Sequence, residues 1–578
     1  MDYKQRYKKW LKDDYFDDEI KAELEKIQDN EKAIEDRFYK DLEFGTGGMR
    51  SKTGAGTNRI NKYTIRRATQ GFANYIINYY EDEGKNSGVV IAYDPRHKSS
   101  EFALEAARVL TANNIKTYLF DSLRPTPELS FAVRKLEACG GIVITASHNP
   151  PEYNGYKVYG PDGCQVVPNL ARKIIAEINE INNFSMVKVI NKEAAQKQGL
   201  LKYIGEDIDS SYIKKMVDVI PHTELSKKKG GDLNIIYTPL HGSAYKLTER
   251  LLKNLGFVNL TIVEKQAVFD PDFSTVESPN PEEYSAFEMA LELADEQDAD
   301  LIMGTDPDGD RMGAITKDAG DHYIALNGNQ LGILMSDFLL NNTEVPKNGV
   351  IIKSIVSTEL IKKIAAEHNV EVIDVLTGFK YIGELITEFA EKGNKNFILG
   401  FEESYGYLIG EYARDKDAIV ACGLTALIAL HYKRKGKTLY QRLQEIYDEY
   451  GYYEEALVSI RRGGKEGQDK INGTLKKLRE EGVEEIANQE VILWKDYQKR
   501  KVYNLKDSSE SEINLSESNV LQYILEDESL ITVRPSGTEP KLKVYFAVND
   551  RTEKSAENKL EKIKDMFSKR VEKIIESI

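Results

Sequence analysis

The sequence predicts an α/β protein: three similar mixed-sheet α/β domains followed by a C-terminal domain of α+β type. Three observations predict it. From about residue 60 to 450, short apolar runs alternate with longer stretches of helical periodicity. Three of those apolar runs open into polar loops of similar form. From about 450 onward, long charged helical stretches surround a separate set of strands. Alternation of the first kind implies α/β units with mixed or mainly parallel sheets. At 578 residues the chain exceeds one core, and about three to five domains are expected. The expected bounds are 1–205, 206–322, 323–447 and 448–578.

The elements follow in order. The first 43 residues are highly charged, with Ile20, Leu24, Ile27, Ile34 and Phe38 at helical spacing, and they read as amphipathic helices. Strands are expected at 89–93, 116–120 and 141–144, with a helix at 99–112. The next segment offers strands at 234–237, 260–263 and 300–304 with helices at 244–254 and 282–293. A third offers helices at 330–340 and 358–367 with strands at 350–353, 370–376 and 397–401. The tail carries helical stretches at 465–481 and 553–576 and strands at 520–525, 530–534 and 542–548. The stretch 500–518, rich in Ser, Glu and Asn, reads as a surface connection.

Composition narrows the function. A formal net charge of -15 argues against nucleic acid as a partner. An anionic substrate must then be captured by locally placed cations. Cys139, Cys164 and Cys422 are too few and too scattered for a disulfide framework or a zinc site. The first residues lack the apolar core of a signal peptide, and no run approaches membrane-spanning length. A cytoplasmic protein without a membrane partner is expected.

The chemistry sits in loops that follow strands, where ligand groups collect in open α/β sheets. TASHNP (145–150) places the Ser147 hydroxyl beside His148, a potential base; a serine in a polar turn is also an ordinary cap. DPDGDR (306–311) sets Asp306, Asp308 and Asp310 at alternate positions in a turn with Pro307 and Gly309. A hard divalent cation prefers such oxygen ligands, and Mg²⁺ suits a phosphate site. Arg311 and Lys317 stand where a calcium-binding EF-hand would need glycine and glutamate, so that reading fails. Arg311 can hold the same phosphoryl group as the cation. RPSGTEPK (534–541) combines a guanidinium, two hydroxyls and a glycine that admits backbone N–H groups to an anion. GFEESYG (400–406) offers carboxylates and a hydroxyl to sugar hydroxyls, and GTGGMR (45–50) a flexible loop ending in a cation. Thr46 and Arg50 are its candidate substrate-binding residues. No Walker A or GxGxxG pattern occurs.

Taken together, TASHNP, DPDGDR, GFEESYG and RPSGTEPK resemble, in order and at domain-scale spacing, the α-D-phosphohexomutase superfamily of phosphoglucomutases and phosphomannomutases. The length and the FGTGGMR start look most like its longer bacterial phosphoglucomutases. The resemblance covers most of the chain. It implies four domains around a central cleft, with Ser147 the phosphorylated serine and its phosphoryl oxygen completing Mg²⁺ coordination with Asp306, Asp308 and Asp310. It implies sugar recognition by Glu402 and Ser404, phosphate recognition by Arg534, Ser536, Gly537 and Thr538, and a substrate-facing Lys380. Lys157 matches a general acid/base of the family, and either Lys157 or His148 relays the hydroxyl proton. The implied reaction interconverts glucose 1-phosphate and glucose 6-phosphate through glucose 1,6-bisphosphate, which also serves as activator. Phosphopentomutase and phosphomannomutase activities are the alternatives within the superfamily. Small sugar phosphates are the expected partners, for a monomer or small homo-oligomer.

Two further readings explain less. Asp308-Gly309-Asp310 loosely matches an aspartyl nucleophile loop of haloacid dehalogenase type, which leaves TASHNP and RPSGTEPK without a purpose. A non-catalytic sugar-phosphate binder would have no need of Ser147 and all three aspartates.

Overall fold

A computed structural model describes residues 2–45, 47–462, 464–536 and 541–578; the side chains of 464–466 also lie outside the description. The chain divides into two compact units, Met1–Val350 with Phe379–Tyr440, and Ile351–Gly378 with Gln441–Ile578.

In the first unit, the charged N-terminal segment forms the helices Tyr3–Lys12, Asp18–Glu25 and Glu31–Phe38. Asp2, Asp17 and Asn30 cap them, each accepting a backbone N–H in the first turn. Their apolar stripes meet in one cluster of Tyr7, Trp10, Phe16, Leu24, Phe38 and Tyr63. Next comes a six-stranded mixed sheet. Gly140–Ile144, Val89–Tyr93, Thr117–Phe120 and Leu201–Ile204 run parallel, while Tyr153–Tyr159 and Gly48–Lys52 add antiparallel at one edge. Gly140–Ile144, Val89–Tyr93 and Thr117–Phe120 are buried along nearly all their length, as their continuous apolar runs require, while Leu201–Ile204 buries only Leu201.

The second sheet repeats the plan. Leu260–Ile262, Ile235–Thr238 and Leu301–Thr305 are parallel, and Met312–Lys317 and Tyr323–Leu326 follow antiparallel. Asn396–Glu402 and Gly406–Ile409 form a third antiparallel hairpin in the same unit. The three polar loops are therefore equivalent: each joins a buried strand to an antiparallel successor, at the strand's carboxyl end. The helix Ala418–Lys433 is apolar all round and almost wholly buried, with Asp417 capping the N–H groups of Ile419 and Val420. Among the described residues no helix is long and apolar enough to cross a membrane.

The second unit holds the helix Leu360–Glu367, the strand Glu371–Val375 and an eight-stranded sheet. Every described pair of that sheet is antiparallel. The helices Gly464–Glu481 and Glu553–Glu576 bury Leu475, Leu478, Ile563 and Phe567 with its apolar residues Val533, Val544 and Phe546. This is the α+β tail that the sequence predicts.

Two expectations change. The surface connection expected at 500–518 contains the strands Lys501–Asn504 and Glu510–Glu512, paired at the outer end of the sheet. All three residues of Glu510–Glu512 are exposed, so no apolar alternation announced them. The helix expected from 282 begins instead as the 3-10 turn Tyr284–Phe287 and continues as Glu288–Gln297. Glu282 stays outside it and pairs with Arg311.

Candidate active site

The Ser147 loop is built by a buried ion pair that sequence reasoning passed over. Asp94 and Arg96 follow the strand Val89–Tyr93, stand 3.1 Å apart and have side chains fully withdrawn from solvent. Asp94 accepts the Thr145 hydroxyl at 2.7 Å, and the Thr145 oxygen in turn accepts the Ser147 N–H at 2.8 Å. Arg96 donates to the carbonyls of Ser147 and Asn149 at 2.5 Å each, Pro150 at 2.8 Å and Tyr153 at 3.1 Å. One guanidinium thus satisfies four carbonyls of a tight loop that has no ladder to supply donors. Ser147 is buried and lies in the left-handed region, φ 53°. An L-residue adopts that conformation only where its surroundings hold it there.

The aspartate loop is shaped with equal density. Asp306 accepts the N–H groups of Asp310 at 2.9 Å and Arg311 at 3.0 Å, and its carbonyl accepts that of Gly309 at 3.0 Å. Gly309 turns at φ 67°, and a Cβ there would meet Pro125 at 2.8 Å. Thr126 clamps Asp308 twice, its N–H to the carbonyl at 2.8 Å and its hydroxyl to the carboxylate at 3.0 Å. Ser243 holds the Pro307 carbonyl through both its N–H and its hydroxyl, at 2.9 Å each.

The two loops meet. The Ser147 hydroxyl donates to Asp306 across 2.8 Å and lies 3.1 Å from His148 Nδ1. Lys157, on the strand Tyr153–Tyr159, reaches Asp308 at 2.8 Å and Asp310 at 3.4 Å. Lys416 stands 2.9 Å from Asp310. Arg311 pairs with Glu282, and Arg50 donates to the Asn149 side chain at 2.8 Å.

The aspartates can hold a metal. One oxygen from each lies within 4.8 Å of the others, and all three residues are buried. Among the described residues, Oδ1 of Asp308 and Oδ1 of Asp310 are buried with no hydrogen-bond partner. Orphaned carboxylate oxygens in a dry site are costly unless a cation completes them. The titration behaviour agrees. Burial, then the charges of Asp308 and Asp310, push the Asp306 carboxyl well above the usual range. Burial works the same way on Asp308, but Lys157 and the hydrogen bonds it receives hold it far below. Burial opposes the Lys157 charge, yet Asp308 and Asp310 raise its ammonium above the ordinary value. Burial and the neighbouring Arg311 and Arg50 push His148 well down, leaving a neutral imidazole. Asp306 and the neutral His148 therefore meet the Ser147 hydroxyl, and Asp308, Asp310 and Lys157 join it through the aspartate trio.

The remaining predicted residues distribute as follows. Glu402 ends the strand Asn396–Glu402 and is 5% exposed; Ser404 sits on the hairpin tip beside Tyr405, whose carbonyl accepts the Met312 N–H at 3.0 Å. Lys380 opens the helix Lys380–Lys392 and, through burial, titrates below its ordinary value. In the second unit, Arg534 ends the strand Leu530–Pro535 and donates to Thr377, and the Ser536 N–H donates to the Lys541 carbonyl at 2.8 Å. Thr46, Gly537 and Thr538 lie outside the described residues. Sequence reasoning missed Asp94, Arg96, Thr126, Glu282 and Lys416. Only Asp94-Pro95-Arg96 carried a local signal, as a polar loop directly after a buried strand.

Segments of the chain match the phosphoglucomutase/phosphomannomutase family: alpha/beta/alpha domain I over residues 41–184, domain II over 210–320, domain III over 327–450, and the C-terminal domain over 468–568. A curated phosphoglucomutase of Staphylococcus haemolyticus is 41% identical over 541 residues, covering 93% of this chain and 96% of that protein. One of Staphylococcus aureus is 40% identical over 514 residues, covering 89% and 90%. In fold, the chain is similar to an exocytosis-sensitive phosphoprotein of Paramecium, titled as a phosphoglucomutase in an open form, with a TM-score of 0.69 at 18% identity over 93% of this chain and 96% of that one. Sequence and fold thus converge over nearly the whole length, and the chain belongs to the phosphoglucomutase/phosphomannomutase family.

Proposed function

We propose that this protein is a phosphohexomutase, an isomerase that interconverts glucose 1-phosphate and glucose 6-phosphate through a phosphoserine at position 147 and a glucose 1,6-bisphosphate intermediate. The observation that carries the reading is the Ser147 hydroxyl, 2.8 Å from Asp306 in a buried aspartate trio with two orphaned oxygens.

In this reading Asp306, Asp308, Asp310 and Ser147 would hold Mg²⁺, which would supply positive charge for phosphoryl transfer. The chain's own groups do the rest. When free Ser147 attacks the bisphosphate, the Oγ–H bond breaks, the Oγ–P bond forms and the sugar O–P bond breaks. The serine proton passes to the neutral His148, whose Nδ1 is 3.1 Å away. Lys157, held as an ammonium by Asp308 and Asp310, protonates the departing sugar oxygen. The opposite half-reaction reverses each transfer, which balances the protons over a cycle. Arg311 and Lys416 neutralise charge at the same place.

Glu402 and Ser404 read the sugar, Thr46, Arg50 and Lys380 bind substrate, and Arg534, Ser536, Gly537 and Thr538 form the phosphate loop. The domain bounds 1–205, 206–322, 323–447 and 448–578 belong to the same reading, as does a cytoplasmic monomer or small homo-oligomer. Three buried free thiols, Cys139, Cys164 and Cys422, suit a reducing compartment.

The test is a coupled assay across glucose, mannose, ribose and N-acetylglucosamine 1-phosphates, with Mg²⁺ and glucose 1,6-bisphosphate present. Highest kcat/KM with glucose 1-phosphate, and acid-stable phosphate on Ser147 by mass spectrometry, are expected. A ribose preference moves the enzyme to the pentose branch, and phosphate on an aspartate overturns the mechanism.

A further inference from the structure

We propose that a cavity between the N-terminal helix Tyr3–Lys12 and the first α/β sheet binds a small aryl carboxylate. The cavity measures ≈ 240 Å³ and lies wholly within the first unit. At roughly 30 Å³ per water it is the size of about eight waters, room for a bicyclic ring rather than a sugar bisphosphate.

Its two ends differ chemically. The inner end is aromatic: Trp10 and Phe16 stack with centroids 4.2 Å apart, and Phe184 sets its edge against both, at 5.8 and 5.7 Å. Met49 and Ile178 add to this apolar lining. Rings so arranged favour a flat apolar body. The other end is cationic. Arg6, Lys9 and Trp10 are spaced to share one face of their helix, and Arg67 approaches from the helix Lys62–Ser87.

The charges there do not cancel. Asp41 is the one carboxylate lining the cavity, and it is shared between Arg6 and Arg67 at 2.9 Å each. Three cations against one anion is an excess in a chain whose net charge is -15. A carboxylate in the cavity would meet this excess of positive charge, to which the exposed Lys9 adds. A neutral ring would satisfy the aromatic end alone, and a cation would meet repulsion.

The test is isothermal titration calorimetry on the full-length protein with 2-naphthoate, 2-naphthamide and 2-naphthylmethylamine. Submillimolar binding of 2-naphthoate is expected, at least tenfold weaker binding of the amide, and none of the amine. Arg67→Met and Lys9→Met should each weaken 2-naphthoate at least tenfold while leaving turnover of glucose 1-phosphate unchanged. Lys9 is exposed, so its variant remains informative if Arg67→Met fails to fold. Equal affinity for naphthoate and naphthamide, undiminished binding by the folded variants, or no heat at millimolar naphthoate would each overturn the proposal. None of these outcomes bears on the phosphoserine reading, because no lining residue belongs to that site.

Discussion

Arg96 grips the Ser147 carbonyl at 2.5 Å while the hydroxyl of the same residue faces Asp306 at 2.8 Å. This grip, with the Thr145 hydroxyl on the Ser147 N–H, holds the serine at φ 53°, where a side chain is strained. Glycine is free of that strain, and alanine is not. Ser147→Ala and Ser147→Gly should both abolish turnover and phosphoprotein formation. The glycine variant should nevertheless be the more stable of the two by about 1 kcal/mol, read by urea unfolding. Equal stabilities would mean that the loop is relaxed around Ser147.

The Asp94–Arg96 pair has no solvent to fall back on, since both side chains are 0% exposed. Removing one partner strands the other in a dry site, whereas removing both leaves only shape to be filled. Arg96→Met should therefore cost about 3 kcal/mol or more. Asp94→Asn with Arg96→Met should cost at least about 1 kcal/mol less than the two single changes added together. Activity should be low in the variants that lack Arg96, because the carbonyls of Ser147, Asn149, Pro150 and Tyr153 lose its guanidinium. Strict additivity in the thermodynamic cycle would sink the pairing.

Metal dependence follows from Asp308 and Asp310, whose Oδ1 atoms are buried without a hydrogen-bond partner among the described residues. Saturating Mg²⁺ should raise the Tm of the chelator-treated protein by about 3 °C or more, as any ligand that favours the native state must. Asp306→Asn should remove both that rise and the activity while folding normally, since burial and the charges of Asp308 and Asp310 already disfavour its carboxylate. A Tm indifferent to Mg²⁺ in the parent protein would count against the metal site.

Much of this was legible in the chain, for physical reasons that also explain the gaps. TASHNP and DPDGDR were readable because apolar runs mark the strands before them and Pro and Gly mark the turns. The contact between Ser147 and Asp306 spans 159 residues, and it was expected only through resemblance; nothing local encodes it. Lys416 is further hidden, since it sits just before a helix cap, in a stretch that reads as an ordinary N-terminus. Arg96 was passed over because a lone arginine after a strand looks like a solvated residue, and burial is a property of the whole fold. The strand Tyr153–Tyr159 went unread because Asn154 and Gly155 interrupt its apolar pattern. Gly155 is there because a Cβ would fall 2.4 Å from the Thr145 carbonyl.

The tail sheet carries a pH-sensitive position away from the catalytic chemistry. Glu454 lies on the strand Tyr452–Arg461, where burial, then Glu455, Glu553 and Glu557, push its carboxyl up to about 7. In the unfolded chain the group titrates near the ordinary glutamate value of 4.5, so folding favours the protonated form. Its contribution to stability is fully present below pH 4.5, declines as the pH rises, and is lost once the pH passes about 7. Glu454→Gln fixes the neutral form at every pH. The variant should match the parent protein at pH 4.5 and exceed its Tm by about 1–2 °C at pH 8.5, with activity unchanged at both. Thermal scans at the two pH values check this. An equal gain at both would assign the effect to side-chain packing, and a loss at pH 8.5 would show that the Glu454 carboxylate is stabilised in the native sheet.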